Sequence, residues 1–256
     1  CARKVQQQMI ILKTPDEIVR MRRAGALVGR VLEVLRGSAR PGISTAWLDR
    51  IAENAIREGD GIPSFKGYHG FPASICVSVN DEIIHGIPGD RILVEGDIVS
   101  MDVGAIVDGY HGDAAITVGV GAVSAEAERL MRVTRESLAA GIANARPGLR
   151  LGDIGSAVQA HVESSGFSVV RDFVGHGIGR KMHEEPQIPN FGRPGEGIRL
   201  RAGMVLAIEP MVNAGGHEAQ ILDDGWTACT MDGSLSAHFE HTVAVTLDGP
   251  EVLTLP

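Results

Sequence analysis

Apolar positions recur along the chain with two different periods. Ile18, Met21, Val28, Val31 and Leu35 return at helical spacing behind Thr14-Pro15-Asp16-Glu17, in which Thr14 is placed to cap, Pro15 takes the first helical position and Glu17 closes a capping box. Gly37 is expected to end this run. A second helix is expected from about Ser44 to Glu58 with its stop at Gly59, a long third from Ser124, and a fourth ending near Gly166. Elsewhere the pattern changes to runs rich in β-branched residues. Ile98 to Val107, Ala114 to Val120, Gly203 to Glu209 and Ala237 to Val243 read as strands, and a short strand-like run directly follows Met9.

Several strings occur twice. Ala39-Arg40-Pro41-Gly42 returns as Ala145-Arg146-Pro147-Gly148, His85-Gly86-Ile87 as His176-Gly177-Ile178, and Gly96-Asp97-Ile98-Val99-Ser100-Met101-Asp102 is matched by Gly203-Met204-Val205-Leu206-Ala207-Ile208-Glu209. Each half thus carries two helices and then an apolar strand ending in a carboxylate. A repeat of about a hundred residues is too long for a solenoid. We therefore expect a single α+β domain over residues 9–256, built of two fused half-domains (about 9–120 and 121–256) with pseudo-two-fold symmetry and a site between them. Residues 1–8, ahead of Met9, are set aside as a tag or extension.

The Asp108-Gly109 pair between the two long strands of the first half suits a two-residue type I′ turn. That turn sets the register: Val107 opposite Tyr110, Gly104 opposite Asp113 and Asp102 opposite Ala115. Asp102 and Asp113 then become diagonal neighbours on one face, with Gly104 leaving space between them. Two carboxylates so close in an apolar sheet repel, so either one keeps its proton or a cation sits between them. An exposed hairpin end with solvated aspartates is the competing reading, and the rest of the chain has to decide.

Composition narrows the class. With 256 residues, 44% of them hydrophobic, the chain reads as globular with a sizeable core. Its 24 basic against 32 acidic residues leave a net charge of −8, which disfavours non-specific binding to DNA or an anionic membrane. No apolar run reaches membrane-spanning length and no signal-peptide pattern opens the chain, so a soluble cytoplasmic protein is expected. Arg20, Arg22 and Arg23 crowd one turn and read as a solvated helix face rather than a docking patch. Cys1, Cys76 and Cys229 have neither zinc-module nor disulfide spacing and are expected as reduced thiols.

The second half supplies partners for the aspartate pair. Glycines surround His176 in Val174-Gly175-His176-Gly177-Ile178-Gly179, but they do not follow the strand-to-helix phosphate fingerprint. His183-Glu184-Glu185-Pro186 is not the two-histidine helix motif of zinc proteases. Collected, the candidate ligands are Asp102, Asp113, His176, Glu209 and Glu240: four carboxylates and one imidazole. This oxygen-rich set suits two hard or borderline divalent ions, which carboxylates can bridge at a separation of about 3.5 Å.

In order and at compatible spacing, His85-Gly86-Ile87-Pro88, Asp102-Val103 with Asp113 eleven residues on, Gly175-His176-Gly177-Ile178-Gly179, His183-Glu184-Glu185-Pro186, Glu209-Pro210-Met211 and Phe239-Glu240-His241-Thr242 resemble type I methionine aminopeptidases of the M24 family. The resemblance covers essentially the whole chain from Met9. It implies the pita-bread fold, in which two pseudo-symmetric half-domains build antiparallel sheet covered by helices. It also implies that Asp102 chelates one metal, that Asp113 and Glu240 bridge both, and that His176 and Glu209 complete the other. A water activated there, with its pKa lowered toward about 7, would attack the first peptide carbonyl. Glu209 would shuttle the proton, His183 would stabilise the oxyanion and His85 would bind near the scissile amide. The methionine pocket maps onto Tyr68, Phe71, Cys76 and Trp226, with Phe65 standing where the family commonly has cysteine and Met182 where it has phenylalanine.

The implied activity is removal of initiator methionine from nascent polypeptide N-termini with a small second residue, by a monomer in transient proximity to the ribosome. Co, Mn, Fe, Ni and Zn all suit such a ligand set. Two other readings share the scaffold. Proline-directed aminopeptidases carry an additional N-terminal domain, for which a helix starting at residue 14 leaves no room. A catalytically silent protein- or RNA-binding relative is expected to have lost ligands, and none is lost here. Type II methionine aminopeptidases insert a helical subdomain, against which the 26-residue separation of His183 and Glu209 argues.

Overall fold

Local signals at the first helix are realised with one shift. In the computed structural model, which describes residues 9–256, α1 runs Pro15–Ser38. The Glu17 N–H donates to the Thr14 hydroxyl at 3.3 Å, and the Thr14 N–H to the Glu17 carboxylate at 2.9 Å. Gly37 does not end the helix. The chain continues through it to Ser38, and the Ala39 N–H closes the last turn on the Leu35 carbonyl at 3.0 Å. The stop comes from Pro41, which disfavours helical backbone at Arg40. The expected extension at residues 1–8, with Cys1, lies outside the described residues.

Helices α2 (Thr45–Glu58), α3 (Ala125–Ala143) and α4 (Leu151–Ser164) follow the expected bounds, with Ser44 and Ser124 capping α2 and α3. The twice-used Ala-Arg-Pro-Gly string is a repeated turn. Gly42 and Gly148 have φ of +90° and +94°, which only glycine adopts readily, and their N–H groups donate to the carbonyls of Leu93 and Leu200.

The strands of the first half are β1 (Ile62–Pro63), β2 (Ile75–Val79), β3 (Glu82–Ile84), β4 (Ile98–Val107) and β5 (Tyr110–Gly119). Those of the second are β6 (Ser168–Val169), β7 (Gly175–Gly177), β8 (Glu184–Ile188), β9 (Val205–Ile208), β10 (Met211–Asn213), β11 (Ala219–Ile221), β12 (Ala228–Thr230), β13 (Ser236–His238), β14 (His241–Thr246) and β15 (Gly249–Val252). All pairings are antiparallel. In one sheet β4 lies between β1 and β2 and also pairs with β5; a second runs β15-β14-β9-β7-β8; two three-stranded sheets, β13-β10-β6 and β11-β12-β3, complete the framework. One apolar core joins α1, α2, β2 and β4 to α3, α4, β9 and β14.

Two expected strands are corrected. Residues 10–12 form no ladder: Ile11 and Leu12 are exposed, so alternation there buries no face. The run from Ala237 to Val243 breaks at Phe239-Glu240, between β13 in one sheet and β14 in another. At the break Glu240 bonds instead to β5, its N–H donating to the Ala115 carbonyl at 2.9 Å.

The crowded arginines face solvent carboxylates, Arg22 pairing with Glu251 and Arg23 with Asp108. Cys76 and Cys229 are buried free thiols, and among the described residues no helix is long and apolar enough to cross a membrane. A different ion pair is buried: Lys13 Nζ lies 2.7 Å from Glu184 Oε2, with 4% and 5% of the two side chains exposed. Removing one partner strands the other charge, which typically costs ~3–5 kcal/mol. Lys13→Met is therefore expected to lower the thermal midpoint by ~10 °C in a chain of this size. A midpoint within 2 °C of wild type, by calorimetry, would show that the pair contributes no net stability.

Candidate active site

Hairpin register places the first two candidate ligands. Val107 pairs with Tyr110, Gly104 with Asp113 and Asp102 with Ala115, and the turn residues Asp108 and Gly109 both have positive φ. The space at Gly104 is not left between the aspartates. Ser64 and Phe65 fill it, and a Cβ there would stand 2.7 Å from the Phe65 ring. Thr242 fastens Asp113 from across the molecule: its hydroxyl accepts from the Asp113 N–H at 3.0 Å and donates to the Asp113 carbonyl at 2.8 Å.

The second half adds three more. His176 sits in β7 between β8 and β9, where the neighbouring strands approach so closely that a Cβ at Gly175 or Gly177 would strike the carbonyl of Ala207 or Glu185. Glu209 occupies the break between β9 and β10, its carbonyl accepting from the Asn190 side-chain amide at 3.0 Å. Glu240 occupies the break between β13 and β14. One donor atom from each of Asp113, His176 and Glu240 lies within 4.8 Å of the others. His176 Nε2 is 3.7 Å from Asp113 Oδ2 and 3.6 Å from Glu209 Oε1.

Electrostatics indicate what the cluster is suited to bind. Burial, then the charges of the other carboxylates, pushes Asp102, Glu209 and Glu240 well above the usual carboxylate range, and burial lifts Asp113 to about 8. Burial also lowers His176 to about 4, so the imidazole is neutral and free to ligate. Oδ1 of Asp102, Oδ1 of Asp113 and Oε1 of Glu240 are buried without a hydrogen-bond partner. Buried polar atoms are almost always satisfied. Four acidic groups, three of them with an orphaned oxygen, around a neutral imidazole are the donor set of a divalent cation, and the residues present fit one.

The remaining candidates line one cavity of about 370 Å³ that opens from this cluster. His85, at φ +60°, and His183 flank it, both lowered to about 4 by burial. The Tyr68 hydroxyl is 2.7 Å from His183 Nδ1, so Tyr68 braces an imidazole as well as lining the wall. Phe71 and Trp226 meet edge to face with ring centres 5.1 Å apart, and Phe65, Cys76 and Met182 complete an apolar end. All eleven catalytic, metal and substrate-binding candidates line this cavity.

Three further residues at the site went unremarked in the sequence. Asp172 and Phe173 form part of the wall, and Phe173 packs edge-on to His85. The third, His238, does not line the cavity but is buried against a residue that does: its Nε2 is 3.8 Å from Glu209 Oε2. Its signal was present, because strand alternation puts it on the same side as Glu240 two residues later.

Comparison with known proteins identifies the family. The pattern of metallopeptidase family M24 matches residues 19–247. A methionine aminopeptidase of Clostridium perfringens is 59% identical over 247 residues, 96% of this chain and 99% of its own. The crystal structure of methionine aminopeptidase from Rickettsia prowazekii superposes with a TM-score of 0.95 at 45% identity, covering 96% of this chain and all of that one. An Xaa-Pro dipeptidase from Bacillus anthracis shares the fold at 24% identity, with a TM-score of 0.75 over 95% of this chain and 61% of its own.

Proposed function

The chain belongs to metallopeptidase family M24, and from that premise we propose that it removes methionine from the N-termini of nascent polypeptides whose second residue is small. The observation that carries this reading is the pairing of the orphaned carboxylate oxygens with an apolar, partly aromatic cavity end beside them. A thioether side chain suits that end through packing and sulfur–aromatic contact.

Asp102, Asp113, His176, Glu209 and Glu240 would hold one or two divalent ions. Metal held there would supply Lewis acidity, which makes hydrolysis of the peptide bond feasible near neutral pH. Glu209 accepts the proton released on attack at its carboxylate and hands it to the leaving amide nitrogen. His183 donates from Nε2 to the carbonyl oxygen as charge gathers on it. Tyr68, donating to Nδ1, holds the tautomer that keeps a proton on Nε2. His85 faces the scissile amide, while Tyr68, Phe71, Cys76 and Trp226 hold the methionine and exclude water. In a cell this activity meets its substrates in the cytoplasm near the ribosome, as a monomer.

The test is methionine release from Met-Ala-Ser, N-acetyl-Met-Ala-Ser and Met-Leu-Ser by chelated protein reloaded with Mn or Co. Metal-dependent release from the free-amine alanine peptide alone is expected. Cleavage of the acetylated peptide would remove the aminopeptidase reading, and equal rates on the two free-amine peptides would remove the small-residue preference. Stoichiometric metal binding with no cleavage would favour a binding protein on this scaffold.

Tyr68→Phe leaves the ring and removes the brace. We expect kcat to fall by about 5–20-fold with KM within a factor of about two, the scale of one hydrogen bond to a group that gains charge. Steady-state kinetics with reloaded enzyme measures both, and a change in KM alone would mean that Tyr68 only lines the pocket.

A further inference from the structure

Beside the three orphaned carboxylate oxygens, the buried site contains a fourth polar atom without a partner, Nε2 of His238. The proposed ligand set does not use it. His238 is 2% exposed and its position is tightly determined. Its backbone N–H donates to the Thr117 hydroxyl at 2.8 Å, that hydroxyl donates back to its carbonyl at 2.8 Å, and β13 holds it opposite Met211. From this seat Nε2 faces Oε2 of Glu209 at 3.8 Å, while the other carboxylate oxygen, Oε1, faces His176 at 3.6 Å. Glu209 therefore stands between two imidazoles, each addressing a different oxygen.

We propose that His238 is a positioning residue for Glu209: its Nε2–H takes Oε2, fixes the rotation of the carboxylate, and so presents Oε1 to the metal side of the cavity. This rests on the role given to Glu209 above. Catalytic hydrogen bonds often tighten in the working complex, and from 3.8 Å a small turn of the carboxylate closes this one. A ring nitrogen left unpaired in so dry a place is costly, and the contact relieves that cost. The Glu209 backbone is already held by Asn190, so the terminal rotation is the freedom left to fix.

The test compares wild type with His238→Leu, which keeps bulk and loses the donor, and His238→Gln, which places an amide N–H near the position of Nε2. Each is reloaded with Co, and kcat, KM, metal affinity by calorimetry and the visible Co spectrum are recorded. Loss of an outer partner of a ligand typically costs about 10–100-fold. We expect His238→Leu to lose kcat on that scale with KM within about twofold, metal stoichiometry unchanged and a shifted Co spectrum, and His238→Gln to recover kcat to within about fivefold. Wild-type kcat and spectrum in His238→Leu would overturn the proposal, as would failure of His238→Gln to rescue. Loss of one equivalent of metal would overturn it too, making His238 a ligand. Should His238→Leu not fold, His238→Asn, too short to reach Oε2, takes its place. A wild type that binds metal but releases no methionine would instead remove the catalytic reading on which the proposal rests.

Discussion

Glu209→Gln is expected to lower kcat for Met-Ala-Ser by about 10²–10⁴-fold, the range for loss of a positioned general base. The substitution is nearly isosteric, and Glu209 is already raised well above the usual carboxylate range by burial and by Asp113 and Asp102. Gln keeps the shape and one oxygen for a metal but cannot take a proton. Substrate affinity, set mainly by the apolar end around Phe71, Cys76 and Trp226, is expected to stay within a factor of a few, so the loss falls on kcat. Measurements at saturating metal separate lost proton transfer from weakened binding. A variant within about tenfold of wild-type kcat would remove Glu209 from the proton path.

Chelated protein is expected to lose stability as the pH rises from 7 to 8.5, and divalent metal to restore it. Asp102, Asp113, Glu209 and Glu240 all have raised values in the fold, Asp113 at about 8, against about 4 in the unfolded chain. Folded protein then binds more protons than unfolded protein between those limits. Stability from these groups is complete below pH 4 and drains away as the pH climbs through the raised values. The site histidines have the opposite sign: His85, His176 and His183 are lowered to about 4, so their contribution changes below neutrality and is flat above pH 7. A tenfold difference in proton affinity between folded and unfolded chain is worth about 1.4 kcal/mol. The chelated midpoint is expected to fall by at least ~3 °C over this window. Metal binding must displace the retained protons, so calorimetry in buffers of different ionisation heat is expected to show their release. A midpoint that stays level or rises between pH 7 and 8.5 would mean that the carboxylates are already ionised without metal.

How far the site could be read in advance differs residue by residue. Asp102 and Asp113 were legible as a pair from one turn and the period of the strand. His176, Glu209 and Glu240 were legible as ligand types, but what gathers them is a set of strand ends that the sequence does not join. Glu209 and Glu240 both lie in breaks between strands of different sheets, and the apolar run around Glu240 reads as one continuous strand. Tyr68 was legible as an apolar-pocket aromatic. Its hydroxyl bond to His183, 115 positions away, was not.

By itself, then, the sequence determined the four helices, the Thr14 cap of the first, the repeated Ala-Arg-Pro-Gly turn, the hairpin register and the ordered ligand types. Those features depend on sterics and hydrogen bonds between residues a few positions apart, which any chain with that local string experiences. Only the tertiary structure decided that Gly104 makes room for Phe65, that residues 10–12 find no strand partner, that Lys13 is buried against Glu184, and that His238 faces Glu209. Each depends on which distant surface closes over the residue. Alternation can say which side of a strand a side chain takes, but the neighbour it meets there is fixed by how the sheets and helices of the two halves pack together.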